Sequence, residues 1–212
     1  MRVALQIGHR TRAAPVIVLD VPPDFHQVPL QTETETRTAS QLQLLEVMGL
    51  SDPAQREALS LYLEALAVRL SDGTVVGTAF CAVELDGHPS TATLTVALHP
   101  TATADRGLAV MGAAEAMRRD GRYATVDIRE LGVHPAVTGM AERPSVPGDA
   151  ASGEVGATLR EMSVLVPVPG HEQAAMLTMS TPCLEDWEVY ETLLLDIARS
   201  LQVQQTQPDF IR

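Results

Sequence analysis

Residues 74–98 read TVVGTAFCAVELDGHPSTATLTVAL, and their patterning sets the architecture. Thr74 to Leu85 is rich in Val, Thr and Phe, and Asp86-Gly87 is a dipeptide that tolerates the positive φ angles of a two-residue turn. Thr91 to Leu98 then alternates strictly, with Ala92, Leu94, Val96 and Leu98 on one face and Thr91, Thr93 and Thr95 on the other. That pattern predicts an antiparallel hairpin with one packed and one polar face.

Working outward, helical and strand patterns alternate on both sides. Upstream, Val16 to Val21 is a short apolar strand stopped by Pro22-Pro23. Gln31 to Ser40, with its alternating Thr and Glu, suits either a solvated edge strand or a loop, and Gln41 to Met48 suits a short helix. A second helix is capped by Asp52, has Pro53 in its first position, and repeats Leu59, Leu63, Leu66 and Leu70 along one side. Downstream, Gly107 to Asp120 is expected to be a helix burying Leu108, Met111, Ala114 and Met117, with Gly121 as its stop. Tyr123 to Leu131 returns to a period of two, with Val126 and Ile128 inward. Residues 134–153 hold three Pro and three Gly and read as a long surface loop.

The last third predicts a strand from Val155 to Val168, a turn at Pro169-Gly170-His171, and a strand from Ala174 to Ser180. A helix follows to Leu201, lined on one side by Leu184, Trp187, Tyr190, Leu194, Ile197 and Leu201. Glu185, Asp186 and Glu188 fall in its first turn, where the helix dipole favours solvated anions. The polar residues 202–212 read as a frayed tail. Hairpins separated by helices indicate an α/β chain of the α+β kind: a central antiparallel sheet of about six strands packed with three to four helices. The 212 residues read as one domain, since no linker separates two self-sufficient cores.

Composition narrows the chemistry. The chain carries 15 basic against 27 acidic residues, a net charge of -12, which argues against nucleic acid as a partner. All 15 cations are arginine; with no lysine there is no Schiff base, phosphate-loop lysine or Ser-Lys dyad. Lysine and asparagine are both missing, as a GC-rich genome would produce. No apolar run reaches the ~18 residues of a membrane span, so no membrane insertion is expected. The N-terminal Arg2, Arg10 and Arg12 are followed by no continuous apolar core, so a cytoplasmic location is expected.

Cys81 and Cys183 are too few for a disulfide framework and read as reduced core residues. Cys183 lies at a helix start, but its acidic neighbours oppose thiolate formation, so a packed thiol is expected rather than a nucleophile. The six histidines (His9, His26, His88, His99, His134 and His171) show no ligand spacing; three precede proline, as residues at turns and strand ends do. No tightly bound metal, no cofactor and no catalytic residue is expected, and Trp187 is assigned to the core.

The final hairpin stands apart. Met162, Val164, Val166 and Val168 share a face while Leu165 points the other way; Ala175, Leu177 and Met179 share a face while Met176 points away. A hairpin apolar on both sides must be covered on both, either by the protein's own helices or by a partner in a groove. Methionines suit an adaptable surface, and Met162, Val164, Met176 and Met179 are the candidate partner-binding residues.

The same region carries a resemblance. Leu165-Val166-Pro167-Val168-Pro169-Gly170, then Leu177-Thr178-Met179-Ser180-Thr181-Pro182 and a helix containing Leu195-Asp196-Ile197-Ala198, resembles actinobacterial proteins of the Mog1/PsbP-like superfamily. Val21-Pro22-Pro23-Asp24-Phe25, followed by Val28-Pro29-Leu30, is similar to their strand-to-loop entry. The resemblance implies a sandwich with a central antiparallel sheet. It also implies a non-enzymatic role, since characterised relatives include a binder of a small GTPase, photosystem assembly subunits, and chaperones that shield apolar helices of secreted effectors. No lipobox cysteine stands near the N-terminus, unlike in lipoprotein relatives. The expected function is therefore an adaptor or chaperone for another protein, with a secretion system as its setting and an apolar or amphipathic helix as its ligand. The alternatives are a structural subunit of a larger assembly, a homo-oligomer among them, and an enzyme with a His/acid site assembled in space.

Overall fold

A computed structural model describes residues 3–5, 16–29, 34–47, 52–69, 74–144 and 158–204. In chain order its elements are β1 (Val3–Leu5), β2 (Val16–Leu19), β3 (Phe25–Gln27), α1 (Thr34–Val47), α2 (Pro53–Arg69), β4 (Val75–Leu85), β5 (His88–Pro100), α3 (Arg106–Asp120), β6 (Thr125–Leu131), β7 (His134–Pro144), β8 (Thr158–Pro167), β9 (Gln173–Thr181), α4 (Trp187–Arg199) and β10 (Gln202–Gln204). A single 3-10 turn, Leu184–Asp186, leads into α4.

Seven strands form an antiparallel sheet in the order β3-β4-β5-β9-β8-β7-β6, and β1-β2-β10 form a second, smaller one. This is the α+β sandwich expected from the alternation of hairpins and helices, with one more strand in the main sheet. The β4–β5 hairpin turns at Asp86 (φ 48°) and Gly87 (φ 82°), and Leu85 pairs with His88 across it.

The two faces of the large sheet are covered differently. One face packs Leu94, Val96, Met162, Val164, Val166, Leu177 and Met179 against Trp187, Tyr190, Leu194 and Ile197 of α4, and Ile17 and Leu19 of β2 join the same core. The α4 stripe is the one its spacing predicted. On the other face, Phe80 packs with Val28 and with Leu44, Leu45, Leu59 and Leu63 of α1–α2 at the β3–β4 end. Val137 packs with Val110, Ala114 and Met117 of α3 toward the β6–β7 end.

Several sequence expectations change. Thr34–Ser40 is neither edge strand nor loop but the first half of α1: Arg37 pairs with Glu64 of α2 at 2.5 Å, and Gln41, Leu44 and Leu45 bury one turn further on. That tertiary anchoring overrides the β-preference of the threonines. Residues 134–153 are not one long loop either, because His134–Pro144 is a strand hydrogen-bonded on both sides, by β6 and β8. Its two prolines stand at the strand's extremities, where a missing N–H is tolerated, and its interior glycine lies under a helix. Residues 145–153 fall outside the described residues.

On the threonine side of β5, Thr93 is buried on the face that carries α1–α2, while Thr91 and Thr95 are half-buried. In α3 the buried positions are Ala109, Val110, Ala114 and Met117, whereas Leu108 and Met111 are each 55% exposed. Ile128, expected to point inward, is 49% exposed on the edge strand β6. Asp186 is buried at the start of α4 and is not a solvated anion. Gln202–Gln204, expected to fray, pairs with β2.

Candidate functional site: a groove between α3 and the final hairpin

α3 is set by its ends. Asp105 accepts the Leu108 N–H at 2.9 Å, and Gly121 closes the helix at φ 74°. Its side chains divide into two stripes. Val110, Ala114 and Met117 pack down on β7, where Gly139 leaves room for them: a Cβ there would lie 2.4 Å from Met117 Cε. The second stripe, Ala109, Gly112, Ala113 and Ala116, follows helical spacing but is too small to fill the space beside it. Because α1–α2 lie toward one end of this sheet face and α3 toward the other, a groove of about 500 Å³ stays open over the central strands β5, β9 and β8.

Its floor is Leu165, Ala174 and Met176, and its far wall runs from His99 through Thr103. That wall is held by short local bonds: Thr101 Oγ1 donates to Thr103 O at 2.8 Å, the Asp105 N–H donates to Thr103 Oγ1 at 3.0 Å, and the Thr101 N–H donates to Glu172 O at 3.0 Å. One end is closed by charge. Arg122 pairs with Asp120 at 2.9 Å and stacks over the Tyr123 ring at 4.5 Å. The groove is therefore largely preformed, apolar within and polar at its ends, the usual make-up of a binding site.

The four candidate binding residues separate by face. Met162, Val164 and Met179 are at most 2% exposed and lie in the α4-side core, so they are packing residues in the folded chain. Their even spacing reported a shared face, and that face is the one the protein covers itself. Met176 points the other way, is half-buried, and lines the groove with Leu165. The small-residue stripe of α3 was missed. Its signal was present in the spacing of Ala109, Gly112, Ala113 and Ala116, but small residues in a helix read equally well as close packing.

A second polar cluster lies on the opposite face. His88 Nε2 stands 3.1 Å from each carboxylate oxygen of Asp186 and 3.7 Å from Glu185 Oε1. Around it α4 is fastened to β5: Ser90 and Tyr190 share a 2.8 Å hydrogen bond, and the Thr91 N–H donates to Cys183 Sγ at 3.4 Å. Burial raises the Tyr190 hydroxyl to about 12, partly countered by the Ser90 hydrogen bond. Burial also raises the Cys81 thiol to about 12, with Asp24 adding to the effect, so Cys81 is an inert core thiol. Neither cysteine is paired; Cys81 is a core residue, whereas Cys183 is only half-buried. No described helix is long and apolar enough to cross a membrane.

Fold and groove together define an α+β sandwich with one partly open apolar face. No family model matches the chain, and no curated protein matches it. Among solved structures it is similar to LpqN of Mycobacterium tuberculosis, involved in cell envelope biogenesis, at 11% identity over 96% of this chain and 90% of that chain, with a TM-score of 0.47. It is similar to the Ran-binding protein Mog1p of Saccharomyces cerevisiae at 13% identity over 88% and 89% of the two chains (TM-score 0.43). A mutant form of the protein Mog1 gives 14% identity over 92% and 98% (TM-score 0.44).

Proposed function

We propose that this chain is a non-enzymatic protein-binding module that receives an amphipathic helix of a partner protein in the groove between α3 and the β8–β9 hairpin. It acts there as an adaptor or chaperone, and a secretion system whose cargo exposes apolar helices is a fitting setting. The observation that carries the reading is the groove itself, preformed and apolar, with walls of alanine and glycine that leave the large side chains to the ligand.

Dimensions and charge support a helix as the occupant. From Leu108 to Asp120 the wall spans thirteen residues of α3, or about 18 Å along the axis, enough for three turns of a second helix. A net charge of -12 attracts a helix with arginine or lysine on its flanks, while burial on Leu165 and Met176 supplies affinity. An enzymatic reading is weaker, because the groove offers one histidine, His99, and one acid, Asp120, in an otherwise apolar lining.

The test is photo-crosslinking in extracts of the source organism from position 113, inside the groove, against position 188 on exposed α4. The captured protein is then purified and titrated onto the wild type and Met176→Asp. A complex formed through a helix, weakened about tenfold or more by Met176→Asp at an unchanged melting midpoint, supports the reading. Equal capture from both positions overturns it. So does self-association that Met176→Asp abolishes, because the groove would then serve a second copy of the chain.

A further inference from the structure

We propose that His88, Glu185 and Asp186 form a binding site for one zinc-class divalent cation, on the sheet face opposite the groove. The donors come from two chain segments about a hundred residues apart, which is why no ligand spacing shows in the sequence. Folding places their ligand atoms within 4.8 Å of one another.

The donor spacing is compatible with an ion between them. Metal–ligand bonds of about 2.0–2.2 Å separate neighbouring donors by roughly 2.8–3.6 Å, from octahedral to tetrahedral arrangements. The His88–Asp186 separations of 3.1 Å fall inside that range, and the His88–Glu185 separation of 3.7 Å lies just beyond it, within reach of a rotation of the exposed Glu185 side chain. Rigid elements hold the two less mobile ligands. His88 opens β5 directly after the Asp86-Gly87 turn, and Asp186 ends the 3-10 turn that the Thr91–Cys183 and Ser90–Tyr190 contacts fasten to that same strand.

Charge points the same way. Asp186 is only 6% exposed, yet it accepts no capping bond from its helix, and among the described residues no arginine pairs with it or with Glu185. Two carboxylates therefore face a single imidazole, and the roughly half-unit positive end of α4 offsets only part of their charge. A proton on His88 would supply one positive charge; a divalent cation supplies two and uses the imidazole as a neutral ligand. The outer side is open for water ligands, with Glu185 63% and His88 37% exposed. One imidazole with two carboxylates suits zinc and its neighbours in the first transition row, whereas magnesium and calcium take oxygen donors.

The experiment is calorimetric titration of zinc chloride into the chelator-treated full chain, with the melting midpoint read in parallel. The expected result is one saturable site that raises the midpoint. Binding should weaken on acidification, because protons compete with the metal for the ligand atoms. His88→Gln and Glu185→Gln should each lose about tenfold or more in affinity. Glu185 is exposed, so that variant keeps the metal-free midpoint and separates ligation from folding. Absence of a saturable site overturns the proposal, as does equal affinity in wild type and both variants. Magnesium or calcium binding as tightly as zinc would also overturn it, since the imidazole would then contribute nothing.

Discussion

Gly139→Ala tests the placement of α3 on β7, the contact that fixes one wall of the groove. In open space the change would stabilise the protein by about 0.5–1 kcal/mol, because glycine in a strand loses more conformational freedom on folding than alanine. The space is not open. The added Cβ would lie 2.4 Å from Met117 Cε and 2.7 and 3.0 Å from Tyr123 Cδ1 and Cε1. Met117 Cε is the end of a flexible side chain and can swing aside. The Tyr123 ring is less free, stacked 4.5 Å beneath the Arg122 guanidinium. Overpacking of this kind costs about 1–3 kcal/mol, so the net expectation is destabilisation by roughly 0.5–2 kcal/mol. For a chain of this size that is a fall of about 1–8 °C in the melting midpoint. Thermal and urea unfolding measure it, and a double-mutant cycle with Met117→Ala gives the contact's own share. In the Met117→Ala background the cost of the added methyl should shrink. A Gly139→Ala protein that melts higher than the wild type would refute close packing of α3 on β7, and with it the groove's geometry.

Trp187→Ala should destabilise by about 3–5 kcal/mol, the cost of deleting a large core aromatic; Trp187 is 6% exposed, and its Nε1–H donates to Glu191 at 3.2 Å. A melting midpoint within a degree or two of wild type would contradict that burial. Alkaline pH should destabilise the protein from about 9 upward. Cys81 and Tyr190 have folded values near 12 against ordinary values of 9.0 and 10.0, so above those ordinary values the unfolded chain releases protons that the folded chain retains. Their contribution is complete below pH 9 and is lost as pH rises toward 12. Cys81→Ala should flatten the first part of that fall, and an unchanged alkaline profile in this variant would count against the thiol's part in it.

Local patterning in the sequence settled the elements whose geometry is local. Asp86-Gly87 announced a turn because two successive positive φ angles need such residues, and Gly121 ended α3 for the same reason. The stripe from Trp187 to Leu201 identified the buried side of α4, and the split between Leu165 with Met176 and their neighbours correctly showed that the final hairpin is apolar on both faces. Which of those faces stays open could not be read there. Periodicity tells which side chains share a face but not which distant helix lies over it. The α4 helix covers Met162, Val164 and Met179, while small residues on α3 leave Met176 beside a groove. The same limit hid β7, whose end prolines and single interior glycine look like a loop until β6, β8 and α3 surround it. It also hid the meeting of His88 with Asp186, since contacts between residues so far apart in the chain are decided by strand order and helix docking, long-range terms that no local window contains.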